Sequence, residues 1–226
     1  MIRAVIFDFD GVIANSEPLH FAAFRDVLAA DGVALSQFDY YERYLGYDDV
    51  GVFRAVSRER ELDWDDRRVA ALVDRKAVRL EALERDDAIL FPGAEQAIRR
   101  LAAALPLAIA SGALRLEIER VLNRTGLAHY FGAIVAAEDT PVSKPAPDPY
   151  VRAVDRLSAA SGLRLVPADC VAVEDSHWGL ESARAAGLRT IAITHTYPAS
   201  ALGAADLLID HLDRLTLATL LSIDPS

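Results

Sequence analysis

Two aspartates, Asp8 and Asp10, close an apolar run in the stretch AVIFDFDGVIANSE, residues 4–17. Side chains at i and i+2 of an extended segment face the same way, so both carboxylates can enter one pocket while Phe9 enters the core. Two nearby carboxylates do not both ionise cheaply; a metal or a retained proton relieves the strain. Either outcome is useful, because one group then stays an ionised nucleophile while the other holds a proton as general acid. The alternative is a polar turn before Gly11. A second acidic pair, Glu174-Asp175, follows the apolar run CVAV. A hard divalent ion such as Mg²⁺ takes oxygen ligands, so the two acidic exits together read as a magnesium site. Taken singly, Asp175 or Ser176 has the ordinary alternative of capping the helix that follows.

Two more positions complete the set. Ser111-Gly112 leaves the apolar run LAIA as a helix begins, where a hydroxyl and free backbone N–H groups bind an anion. Lys144 lies between Ser143 and Pro145 in a loop, and only two of the 24 basic residues, Lys76 and Lys144, are lysines. A fixed ammonium beside a nucleophilic carboxylate would neutralise phosphoryl oxygens during attack.

These residues are placed by short apolar runs at 2–9, 107–110, 133–136, 170–173, 190–194 and 207–209. Helical patterns lie between them at about 94–105, 114–124, 147–161 and 177–186. Near-continuous apolar strands alternating with helices predict an α/β fold, a Rossmann-like parallel sheet sandwiched by helices. In such sheets ligands sit beyond the carboxyl ends of the strands, where the residues above are found. Residues 17–88 break the rhythm with several helix-like stretches and no convincing strand. They carry 17 acids against 11 bases, which reads as solvated helix faces of an inserted helical cap. The expected division is a core of 1–16 and 89–226 with a cap of 17–88.

The whole chain has 226 residues, 52% of them apolar, and a net charge of −10. This suits a sizeable core and argues against a nucleic-acid or anionic-membrane surface. Small polar substrates fit better. Met1 leads straight into a strand-like run without a secretory signal, and the most apolar run, 101–114, is too short to span a bilayer. The expectation is a cytoplasmic protein without a membrane segment, a monomer or weak dimer. Cys170, the single cysteine, reads as a buried strand thiol.

The motifs resemble those of the haloacid dehalogenase superfamily, phosphatase branch, and most closely its β-phosphoglucomutase-like subgroup. DFDGV, SG at 111–112, SKPAPD at 143–148 and VEDSHWGLESARAAG at 173–187 match four motifs in order. The resemblance implies that Asp8 attacks phosphorus to form an aspartyl-phosphate, and that Asp10 protonates the leaving oxygen and then activates water. It also implies Mg²⁺ held by Asp8, the backbone carbonyl of Asp10, and Asp175, with Glu174 direct or through water. Dehalogenases of the superfamily lack an acid at the position of Asp10, so dehalogenation is not expected. A P-type pump needs a lysine after the nucleophile and membrane helices, and neither is found.

In the family an inserted cap closes over the pocket, with hinges expected here near 12–17 and 88–92. Ser16, His20 and Lys76 are similar to β-phosphoglucomutase positions, which makes His20, Lys76 and the loop at Gly46 candidate substrate contacts. The bland alternatives are a packed His20 and an exposed Lys76. After Gly46 the chain reads Tyr47-Asp48-Asp49, where the mutase would carry an arginine for a second phosphate. That departure favours a hydrolase of a small phosphorylated metabolite over a mutase, with Arg54 or Lys76 as the substitutes a mutase would need.

Overall fold

The computed structural model describes residues 1–45, 47–86 and 90–223. It divides into two compact units, one of Met1–Asn15 with Leu90–Ser226 and one of Ser16–Ile89. The first unit is an α/β layer structure. Its strands are β1 (Ala4–Phe7), β2 (Leu107–Ala110), β3 (Phe131–Val135), β4 (Cys170–Glu174), β5 (Arg189–Ile193) and β6 (Leu207–Ile209). All pair in parallel, in the order β3-β2-β1-β4-β5-β6. The chain starts in the middle of this sheet, builds outward to β3, and returns beside β1 as β4. The carboxyl ends of β1 and β4 therefore flank the reversal in strand order, where open parallel sheets place their ligands.

Each strand is short and apolar because both faces are covered. Every residue of β1, β2 and β4 is buried. Of its helices α5 (Ala94–Ala102), α6 (Arg115–Thr125), α7 (Asp148–Ser161) and α8 (His177–Ala185), the last two cover one face, where Tyr150, Ala153, Val154, Leu157 and Ala183 meet Ile6, Ala108 and Ala172. Cys170 is a buried free thiol in this layer, and burial pushes its pKa up to about 12. Strand β1 ends two residues short of the apolar run that announces it, as Asp8 leaves the ladder. The Asp8 N–H still donates to the Val173 carbonyl at 2.9 Å, so the departing side chain starts from a fixed point.

The second unit is helical. It comprises α1 (Glu17–Ala29), a turn α2 (Gln37–Asp39) running into a π-helical turn at Tyr40–Tyr44, α3 (Asp49–Glu59) and α4 (Asp66–Asp86). Pro18 opens α1, where a missing N–H costs nothing. Its core gathers Phe24, Leu28, Tyr40, Phe53, Val56 and Leu72, with Phe24 and Phe53 edge-to-face at 5.2 Å. Tyr40 and Tyr44 belong to this packing and hydrogen-bond Glu17 and Glu59. No helix among the described residues is long and apolar enough to cross a membrane. Gly46 and residues 88–89 of the expected hinge lie outside the described residues.

Phe53 is fully buried at the centre of this small core, 6.5 Å from the Trp64 ring. Phe53→Ala is expected to lower the unfolding free energy reported by Trp64 fluorescence by about 3–5 kcal/mol. Urea denaturation in a Trp178→Phe background measures it; a loss below about 1 kcal/mol contradicts the packing described.

Candidate active site

Phe7 lies opposite Val173, so the residues leaving β1 and β4 emerge together. Asp8, Glu174 and Asp175 are all buried, and each offers a carboxylate oxygen within 4.8 Å of the others. Lys144 reaches into this group from its loop. Its Nζ donates to Asp8 Oδ1 at 2.7 Å and to Glu174 Oε1 at 2.6 Å. The Lys144 side chain is 14% exposed and that of Glu174 not at all. Buried charges survive only when paired and hydrogen-bonded, and Glu174 meets that condition. It accepts from Lys144, from the Tyr150 hydroxyl at 2.7 Å, and from Ser176 Oγ and the Asp175 N–H at 3.3 Å each.

The charges do not balance. Three carboxylates face one ammonium, and the titration behaviour follows. Burial, with Glu174 adding repulsion against the pull of Lys144, pushes the Asp8 carboxyl up to about 7. Burial together with the Asp8 and Glu174 charges holds Asp175 well above the usual carboxylate range, against a hydrogen bond from Thr196. Burial alone would lower the Lys144 ammonium, but Asp8 and Glu174 outweigh it and raise its pKa. The surplus of negative charge demands either protons or a cation. Three convergent oxygen donors suit a hard divalent ion, which takes carboxylates and water rather than nitrogen or sulfur.

Two glycines let these groups approach so closely. A Cβ on Gly179 would fall 1.9 Å from the Glu174 carboxyl carbon, so the carboxylate lies directly on the first turn of α8. Gly11 adopts φ +78°, and a Cβ there would fall 1.9 Å from Asp175 Oδ2. The helix cap is Ser176, whose Oγ accepts from the Gly179 N–H at 3.1 Å. Asp175 is thereby left to the acidic cluster.

Asp10 sits two residues beyond Asp8, half-buried, and its charge contributes to the rise in the Asp8 pKa. Ser111 leaves β2, the other neighbour of β1. Its buried Oγ accepts from the Ala113 N–H at 3.1 Å, and its N–H donates to Val135 O at 2.9 Å. Gly112 is exposed beside it. In the helical unit, His20 and Lys76 form their own cluster. Lys76 is fully buried, and its Nζ lies 2.9 Å from His20 Nδ1 and 2.8 Å from Asp49 Oδ1. The ammonium can only donate, so His20 Nδ1 accepts. Burial, then Lys76, lowers the His20 pKa to about 3, and this imidazole is neutral near pH 7. The alternative of an exposed Lys76 is thus excluded, and Asp49, one of the acids that follow Gly46, is its counter-ion. Arg54 is exposed and paired with Asp66 at 2.8 Å. Gly46 is outside the described residues.

Tyr150 and Thr196 are site residues that the sequence reading passed over. Tyr150 looks like one more apolar position of α7, and only its place six residues after Lys144 marks it. Its ring also lies 5.0 Å from the Lys144 ammonium, and burial raises its hydroxyl pKa far from ionisation.

The profile of the haloacid dehalogenase-like hydrolases matches residues 2–187. The chain belongs to that family. Among its relatives is Protein CbbY of Rhodobacter capsulatus, 36% identical over 205 residues that cover 87% of each chain. The fructose-1-phosphate phosphatase YqaB of Escherichia coli is 30% identical over 187 residues, 83% of this chain and 94% of YqaB. The crystal structure of CbbY from Rhodobacter sphaeroides in complex with phosphate superposes with a TM-score of 0.82 at 29% identity, covering 97% of this chain and 99% of the other. The four motifs of this haloacid dehalogenase-like hydrolase all fall within the matched residues.

Groups whose folded pKa is raised, such as Asp8 and Asp175, favour the folded state below their unfolded values and lose that contribution as pH rises through the folded value. Removing Lys144 exposes this strain. Without divalent ions, Lys144→Gln is expected to cost about 3–5 kcal/mol of stability near pH 8 and clearly less near pH 5, below the raised pKa of Asp8. Urea denaturation at both pH values tests this, and an equal loss at both contradicts the charge imbalance.

Proposed function

We propose that this haloacid dehalogenase-like hydrolase is a Mg²⁺-dependent phosphatase of small phosphorylated carbohydrates, working through an aspartyl-phosphate on Asp8. The chain is a phosphoric-monoester hydrolase by family. The observation that carries the mechanism is the Lys144 ammonium shared between Asp8 and Glu174, with Asp175 alongside. Asp8, the backbone carbonyl of Asp10, Asp175 and Glu174 would hold the ion. When bound, Mg²⁺ supplies positive charge that screens the nucleophile from the incoming phosphate dianion.

Asp8 attacks phosphorus, forming the Asp8 O–P bond as the bond from phosphorus to the leaving oxygen breaks. Asp10 gives its proton to that oxygen. Water then attacks phosphorus, Asp10 takes the proton, and the Asp8 carboxylate departs, which restores both groups. Lys144, with Ser111 and Gly112 beyond β2, stabilises the phosphoryl oxygens. The inserted segment 17–88 acts as the cap that excludes water and selects the substrate.

A mutase must grip a second phosphate. Here Lys76 is committed to Asp49 and His20, so the mutase reading loses the cation it would use, and hydrolysis is favoured. Purified protein with Mg²⁺ is expected to release phosphate from p-nitrophenyl phosphate and fructose 1-phosphate. Asp8→Asn should reduce that release at least about a thousandfold. Undiminished activity in this variant contradicts the nucleophile assignment. Conversion of a hexose 1-phosphate to its 6-phosphate as the main reaction would favour the mutase instead, and tight binding without turnover a non-catalytic protein.

A further inference from the structure

The chain beyond β5 reads Thr194-His195-Thr196, and no motif marks it. Its last two side chains nevertheless reach the Asp10 loop and the acidic exit of β4 that lies against it. His195 Nδ1 lies 2.9 Å from the carbonyl oxygen of Gly11. A backbone carbonyl only accepts, so Nδ1 carries the proton. Thr196 hydrogen-bonds the carboxylate of Asp175. Gly11 is thus fixed between the His195 ring on its carbonyl and Asp175 against its Cα.

The ring itself is clamped. Phe91 stacks on His195 with centroids 3.9 Å apart and planes 17° from parallel. The Phe91 N–H donates to Ile13 O at 3.0 Å, and Leu90 bridges Ala14. The Gly11 N–H donates to Ala14 O at 2.9 Å. These contacts form a closed circuit: Gly11 to Ala14, Ile13 to Phe91, Phe91 to His195, and His195 back to Gly11. Both polar groups of Gly11 are held, so its positive φ has no freedom to relax. The peptides on either side of Gly11 are then fixed, the Asp10–Gly11 one through its N–H and the Gly11–Val12 one through its carbonyl, and with them the backbone from which the Asp10 side chain departs.

We propose that His195 is a positioning residue, which through its hydrogen bond to Gly11 O sets Asp10 for proton transfer to the leaving oxygen. This rests on the phosphatase reading above. It predicts a defect that depends on the leaving group. Sugar alkoxide needs a proton as it departs, whereas p-nitrophenolate scarcely does. A loss of general packing would slow both esters alike.

Three variants separate the donor from the ring. His195→Phe keeps the stack on Phe91 and removes the donor. His195→Asn keeps a donor near the Nδ1 position and removes the ring. His195→Gln carries its donor one bond too far. For H195F, kcat/KM on fructose 1-phosphate is expected to fall about ten- to a hundredfold, and on p-nitrophenyl phosphate less than about threefold. H195N should stay within about threefold of the wild type on both esters. If circular dichroism shows that H195F does not fold, H195Q replaces it with the same expectation. Equal losses on the two esters, or an H195N as impaired as H195F, overturn the proposal. Wild-type protein inactive on both esters overturns the phosphatase reading and this inference with it, whereas an active wild type without the leaving-group effect overturns the inference alone.

Discussion

One ammonium facing three buried carboxylates is the interaction on which the site depends. Burying a carboxylate without compensation costs several kcal/mol, so a fold that gathers three of them must offset the charge. Lys144 offsets part of it by donating to two of the three at once. Tyr150, Ser176 and a backbone N–H satisfy the rest of Glu174 without adding charge. What is left is a directed deficit of positive charge at Asp8 and Asp175. In the proposed function that deficit is what a divalent ion would fill, and with it a phosphate dianion would be drawn in.

The parallel sheet supplies this arrangement at little structural expense. Because β4 pairs with β1 and not with β3, the strand that precedes it in the chain, residues 8 and 174 lie side by side though 166 positions apart. The close approach then depends on side chains that are absent. Gly179 lets α8 begin against Glu174, and Gly11 lets the Asp10 loop lie against Asp175. In the helical unit the same logic takes another form, since Lys76, buried with its ammonium over the Phe24 ring, is paired with Asp49 and with a neutral His20. The buried ammonium of that unit finds its partners within the unit.

The fold class was legible because its signals are local. Apolar strands of three to five residues alternate with helical patterns along the chain, and boundaries differ by only a few residues. Strand β3 starts at Phe131 and not at 133, since Phe131 reaches Phe7 edge-to-face across β2. The short α9 (Leu217–Ser222), capped by Thr216, was not read, because six residues show too little periodicity. Within the site, Asp8, Glu174, Asp175 and Lys144 could be named as polar residues at strand exits. Tyr150 and Lys76 could not be assigned their roles. A tyrosine on an amphipathic helix looks like packing, and a lysine between Arg75 and Arg79 looks solvated until its neighbours across the fold are known. His195 was opaque for the same reason: its partner is a backbone carbonyl 184 positions away, and backbone groups leave no trace in sequence.

On the proposed function, the acidic cluster carries a charge deficit that a divalent ion fills in place of protons. Calorimetric titration of the metal-free protein with Mg²⁺, in buffers of different ionisation enthalpy, measures both at once. Binding of about one ion per chain is expected, with release of a proton near pH 6 as the carboxyl of raised pKa at Asp8 surrenders it. No Mg²⁺ binding at millimolar concentration, or binding with no proton released at that pH, would contradict it.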